Sequence, residues 1–367
     1  MISAIAFIVA ALIPMSFLFV LKSFDFYQTG SAKFIVYSGA WGILSYFSAA
    51  QINPALVEHD VFSTDTVVRF AAPVIEEILK GLILIYLIRH PDFKYFLDGA
   101  IYGFASGIGF AIFENFEYIS AHPSTALILA ISRVLSTNLI HATGSALIGI
   151  ALGLARFNRS RLLRASYLVS GAGLAIAIHS GFNNMVNAGA ALVFALAAGL
   201  GGAGIIAAAA LRGLKDEKGW VHENIGLTQG VTTGEASVVQ RLNDVDELLA
   251  PLAKRFGEDK ALQIEKFLFM QAQLAIQGKM LEKMQDEKMR LAIRAQIREL
   301  DQKMNKERKA VGAYCMLYLR NIFPASDTQL WNLLQQRVTR SKGEAGTGLW
   351  MTLDQRMKPK PAIEKQD

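Results

Sequence analysis

The feature that most limits what this chain can become is a run of long apolar stretches in its first 212 residues. A helix needs about 20 mostly apolar residues to cross the hydrocarbon core of a bilayer. Seven segments reach that length, at roughly 1–21, 34–52, 67–88, 99–119, 126–155, 164–187 and 189–211. The fifth is long enough to tilt, kink or protrude, and a tight turn is expected at 187–189 between the last two. Charge follows the same division. Residues 1–212 hold 12 Lys and Arg and 10 Asp and Glu, whereas the remaining 155 residues hold 25 and 21. The first part is too apolar for a water-soluble domain of its length, and the second has an ordinary soluble composition. Neither part carries a dense basic run with interleaved aromatics, so nucleic acid is not an expected partner. Cys315 is the only cysteine, which excludes a disulfide scaffold.

Lys and Arg in the connections set the orientation. Lys22 and Lys33 follow the first span, Arg89 and Lys94 the third, Arg156, Arg159, Arg161 and Arg164 the fifth, and Arg212, Lys215 and Lys218 the seventh. The other three connections have neither, though the first of them holds Glu58 and Asp60. This alternation predicts an outside N-terminus and a cytoplasmic C-terminus. Residues 1–21 lack the basic n-region and a small-residue cleavage site of a signal peptide, and read as an uncleaved first span.

Ionisable groups inside a span cost several kcal/mol unless paired or hydrated, and mark a functional interior. Span three carries Glu76, Glu77 and Lys80; span four Glu114, Asn115 and Glu117; span five Arg133, Asn138 and His141; span six His179, Asn183 and Asn184. Glu76 and Lys80 are four apart and are expected to pair, with Glu77 turned about 100° away into a cavity. His179 and Asn183 are also four apart. Arg133 reads as a charge partner and Glu117 as interfacial. Gly99, Gly103, Gly107, Ala111 and Asn115 form a small-residue ladder that lets helices approach. In the assigned topology Glu76, Glu114 and His179 lie roughly 8–14 Å below the outer surface, with His141 deeper, near about 22 Å.

Carboxylates and imidazoles sharing a cavity can activate water for hydrolysis, and Asn183 can donate to a developing oxyanion. Glu and His can also hold zinc with a position open for water. A transporter or sensor that uses the same residues to bind cations or relay protons is the alternative.

Glu76-Glu77-x-x-Lys80, Phe110-x-x-x-Glu114-Asn115, His141 on the next span and His179-x-x-x-Asn183 resemble the motif series of PrsW-type intramembrane proteases, distant relatives of the type II CAAX prenyl endopeptidases. The resemblance covers about residues 65–190. It implies a peptidase in the bacterial cytoplasmic membrane that clips membrane-anchored substrates, in that family an anti-sigma factor. Carried over by position, it implies catalytic roles for Glu76, Glu77, Glu114, His179 and Asn183. A zinc ion on Glu114, His141 and His179 fits this series, as does a metal-free, glutamate-activated water. Glu114 stands where the prenyl endopeptidases have His, which argues against prenylated substrates.

The expected architecture is therefore all-α: a polytopic bundle of about seven spans at 1–212, a linker at 213–235, a cytoplasmic helical domain at 236–340 and a disordered tail at 341–367. Within the cytoplasmic part, 236–256 reads as an amphipathic helix and 258–311 as one long helix or two broken near Gly278. A third apolar run at 314–323 and a short helix at 330–338 follow. This domain either packs on itself or serves self-association or partner docking.

Overall fold

The computed structural model describes residues 2–23, 25, 30–186, 190–225, 245–313 and 315–316. Among them every regular element is helical. In chain order these are α1 (Ile2–Ser23), α2 (Ala32–Glu58), the short α3 (Thr64–Thr66), a π-helical stretch (Val67–Ala71), α4 (Ala72–Leu87), α5 (Phe96–Ala121), α6 (Ala126–Leu135), α7 (Thr137–Arg156), α8 (Arg161–Val186), α9 (Ala191–Ile225), α10 (Val245–Phe256), α11 (Glu258–Lys283) and α12 (Glu287–Val311). Among the described residues five paths are long and apolar enough to cross a membrane: Ser3–Ser23, Phe96–Ala121, Ala126–Arg156, Arg161–Val186 and Ala191–Gly213. The second and third expected spans are not among them. Ser38, Ser45, Ser48, Gln51 and Asn53 dilute α2, and α4 carries two glutamates and a lysine within 16 residues.

α5 is the axis of the bundle, buried along most of its length between α7 and α2. Small residues make this possible. A Cβ on Gly99, Gly103 or Gly107 would strike the carbonyl oxygen of Gly149, Ser145 or His141 on α7. On the opposite side, Gly42 of α2 sits on the Ser106 carbonyl, and Gly109 of α5 sits on that of Gly39. Helices in lipid gain no hydrophobic advantage by associating, so this backbone-to-backbone approach supplies the packing. Large apolar side chains instead cover the outside: Phe19, Ile128, Val193 and Leu200 are all exposed. Such a surface suits a lipid solvent.

Two irregularities shape the interior. The fifth expected span is two helices, broken at Ser136, whose φ of −124° and ψ of −82° are not helical. The break is buried with Thr137 and Asn138, as non-helical backbone at membrane depth must be. The other is the π-helical stretch ahead of Pro73. Ala72 donates to the Val67 carbonyl, and Pro73 has no N–H to offer the carbonyl of Val68.

Beyond the bundle, α9 does not stop near 211 but continues as helix to Ile225, so residues 213–225 are helical where a linker was expected. The stretch has no Pro, and the helix runs on through Gly213, the charged run at 215–218 and Gly219. The break in 258–311 falls at 284–286, not at Gly278, which lies inside α11. Asp286 decides it by accepting from the Met289 N–H at 2.7 Å as the N-cap of α12. α10, α11 and α12 share an apolar core with Trp220 of α9. The expected turn at 187–189, the first part of the amphipathic helix at 236–244, the helix at 330–338 and the tail at 341–367 lie outside the described residues.

Candidate active site

Glu76, Glu77 and Lys80 sit on consecutive turns of α4, where Pro73 near its N-terminus fixes the entry of the chain. Their pairing is the reverse of the expected one. Lys80 Nζ lies 2.6 Å from Glu77 Oε1, three residues away, and not on Glu76. Spacings of three and four both bring side chains together on a helix. What decides between them is His141, whose Nδ1 lies 2.7 Å from the same ammonium and draws it toward α7. Lys80 is fully buried, over the ring of Phe110.

From this pair a continuous polar network crosses the bundle. Lys80 has only protons to give, so His141 accepts at Nδ1 and donates from Nε2 to Glu114 Oε2 at 2.9 Å. Arg133 of α6 closes on the same oxygen at 2.8 Å, and its Nε donates to Asn115 at 2.7 Å. Asn115 in turn donates to Asn138 just past the break, at 2.6 Å. In the other direction, His179 of α8 donates from Nδ1 to Glu77 Oε1 at 3.0 Å. Its Nε2 faces Glu76 Oε2 at 3.7 Å. Asn53 of α2 donates to Glu76 Oε1 at 3.1 Å. The two imidazole rings stand edge to face, 4.7 Å apart.

Two of the three glutamates are thus held by a basic side chain, Glu77 by Lys80 and Glu114 by Arg133. Glu76 has no Lys or Arg on it among the described residues. Its Oε2 is buried without a hydrogen-bond partner. Yet Glu76 lines a cavity of about 300 Å³ between α2 and α5, shared with Tyr46, Asn53, Phe110, Glu114, Glu117 and Tyr118.

The break at Ser136 resolves the depth of His141. Because the span restarts at Thr137, His141 falls on the first turns of α7, opposite Gly107, and reaches the two glutamate-bearing helices. Asn183 goes elsewhere. Its amide donates at 2.8 Å to the Val68 carbonyl, the one Pro73 leaves without a backbone partner. Asn53 and Tyr46 were not singled out from the sequence. The only signal for Asn53 is an amide ahead of Pro54 in an otherwise apolar helix.

Glu76, His141 and His179 each offer a ligand atom within 4.8 Å of the others. Zinc bonds of about 2.0–2.1 Å to N and O in a tetrahedron put ligand atoms about 3.3 Å apart, so this set fits a metal after a small contraction. Glu77 behind His179 matches the carboxylate that orients a ligating imidazole. His141 joins such a site only by releasing Lys80 from Nδ1 or Glu114 from Nε2. Glu114, expected as a ligand, is engaged by His141 and Arg133.

The family described as PrsW family intramembrane metalloprotease matches residues 30–211. Residues 30–211 are therefore similar to the PrsW family. The match takes in α2 to α8 and most of the buried network just described, and it ends inside α9. Protease PrsW of Geobacillus kaustophilus is 27% identical over 150 residues, which cover 40% of this chain and 65% of that relative. The chain therefore spans about 65% of the length of this PrsW relative. No solved structure matches the chain.

Proposed function

We propose that this chain is an intramembrane peptidase that hydrolyses a membrane-anchored protein at the cavity between α2 and α5. The observation that carries the reading is Glu76: a buried carboxylate with one free oxygen, no basic partner, and an imidazole 3.7 Å away beside a cavity. The similarity to the PrsW family over residues 30–211 supports the reaction class.

In this reading a water in the cavity gives its proton to Glu76, and its oxygen attacks the scissile carbonyl carbon. The carbonyl π electrons move onto oxygen, giving the tetrahedral species. When the tetrahedral species collapses the C–N bond breaks, and Glu76 returns the proton to the departing amine. Glu77 and Lys80 hold His179 and His141 in orientation, and Glu114 with Arg133 fixes the second ring. A metal held by Glu76, His141 and His179 would add Lewis acidity toward the carbonyl. With a metal bound Glu76 would be a ligand, and without one it is the base, so either form requires Glu76.

We read the bundle as seven spans, with α2 and the α3–α4 run as the second and third. The N-terminus lies outside and α10–α12 lie in the cytoplasm of a bacterial cell. Contacts support that sidedness. Gln296 of α12 donates to Asp92, and Tyr95 of the α4–α5 connection bonds Asp216 and packs on Trp220. The cytoplasmic helices therefore meet a connection that also carries Arg89 and Lys94. The substrate class is a single-span protein, with an anti-sigma factor the member that the family resemblance implies.

The test is purified full-length chain in proteoliposomes with single-span candidates and, in parallel, an ion- and proton-flux assay. Cleavage without flux supports the reading. Flux that Glu114→Gln abolishes, with no cleavage of any candidate, replaces it with the transporter alternative.

A further inference from the structure

The mouth of the cavity has a charge pattern that hydrolysis alone does not require. Its acidic and imidazole lining residues are Glu76, Glu114, Glu117 and His122, and no Lys or Arg among the described residues lines it. Arg133 is directed at Glu114 from α6 with its guanidinium over Tyr118, which leaves Glu117 without a cation among the described residues. Glu117 is nevertheless held in place. Tyr46 of α2 donates its hydroxyl to Glu117 Oε2 at 2.6 Å, a bond that joins α2 to α5 across the cavity. The ring of Tyr46 is itself fixed edge-on against Phe110 and Phe47. Deeper in the same cavity, Glu76 is 9% exposed with its Oε2 unpartnered. The lining thus joins an oriented outer carboxylate, aromatic walls and an unsatisfied inner carboxylate, and it contains no fixed cation to neutralise them.

A carboxylate oriented by a neutral donor keeps its negative charge for an incoming cation. A Lys or Arg side chain laid along aromatic walls with its head on such a carboxylate forms a charge-assisted hydrogen bond. Glu117 is one helical turn further out along α5 than Glu114, about 4.5 Å at 1.5 Å per residue. Glu76 and Glu117 line the same cavity, so a long basic side chain reaching Glu117 would keep its own backbone at the cavity that holds Glu76.

We propose that Glu117, oriented by Tyr46, is a specificity residue that selects substrates with a Lys or Arg within about three residues of the scissile bond on its outer side. This rests on the peptidase reading, since it names the substrate class of that site. Two arms test it separately, both with full-length protein in proteoliposomes. The first measures cleavage of single-span peptides that differ only at that position, Lys against Gln. The wild type is expected to prefer Lys by at least tenfold in kcat/KM, Glu117→Gln to reduce the ratio to near one, and Glu117→Lys to prefer a Glu-bearing peptide. The second measures binding of the same peptides to the Glu76→Gln protein, which needs no turnover. Lys is expected to tighten binding at least fivefold, and Glu117→Gln in that background to remove the difference. Cleavage with no Lys preference, or a preference that Glu117→Gln leaves intact, overturns the proposal while the peptidase reading stands. Lys-dependent binding lost in Glu117→Gln without any cleavage supports the proposal's site and overturns the peptidase reading instead.

Discussion

Glu76, Glu77 and Glu114 carry the same side chain into one bundle, and their neighbours give them different work. Glu77 and Lys80 form a fully buried pair, so Glu77→Gln leaves an ammonium without its counter-charge. Breaking one side of such a pair costs about 3–5 kcal/mol. Glu76 has no such obligation. Thermal unfolding in detergent is therefore expected to fall by many degrees for Glu77→Gln and by little for Glu76→Gln; equal losses would contradict the assignment of Lys80. Asn183 separates two roles by magnitude. Its bond to the Val68 carbonyl predicts that Asn183→Ala lowers stability by about 0.5–1.5 kcal/mol and cleavage by less than tenfold. An oxyanion donor would cost about 10²–10³ in rate, and a loss of that size would return Asn183 to the reacting centre. The residues of the cluster were legible in the sequence because ionisable groups in apolar spans stand out. Their pairing was not. Spacings of three and four are both compatible with a helical ion pair, and only His141, from another helix, decides where the Lys80 ammonium points.

Among the elements, α5 and α7 were the most readable. A glycine ladder at four-residue intervals has few uses other than close approach, and Gly99, Gly103 and Gly107 each meet α7 backbone. Gly103→Leu is expected to force the two helices apart, with an overpacking cost of at least about 1–3 kcal/mol and loss of the His141–Glu114 bond. Cleavage should drop with stability, as read by activity and unfolding on one preparation. A fully stable and active Gly103→Leu would remove the ladder from the account. The break at Ser136 was hidden. Thr137 and Asn138 are poor helix formers, but a single span can absorb them; the length of the fifth segment and the depth of His141 hinted that the path was not straight, without placing the break. The boundary of α9 was missed for a related reason. The shift from apolar to charged composition near 212 marks where lipid ends, and helix propensity continues across it.

For the whole molecule, the contacts of α12 with the α4–α5 connection put both on one side of the bundle, the side that the proposed topology assigns to the cytoplasm. In a Cys315→Ser background, the single-cysteine variants Ser124→Cys and Arg159→Cys should divide accordingly. A membrane-impermeant maleimide added to intact cells is expected to label only the first, and labelling of Arg159→Cys alone would invert the topology. The central claim is that Glu76 faces the reacting water. It is tested most directly by the single-turnover cleavage rate of a single-span substrate in proteoliposomes, wild type against Glu76→Gln. Loss of a general base predicts a fall of about 10²–10⁴ with the unfolding temperature nearly unchanged. A folded Glu76→Gln protein that cleaves within a few-fold of wild type would contradict it.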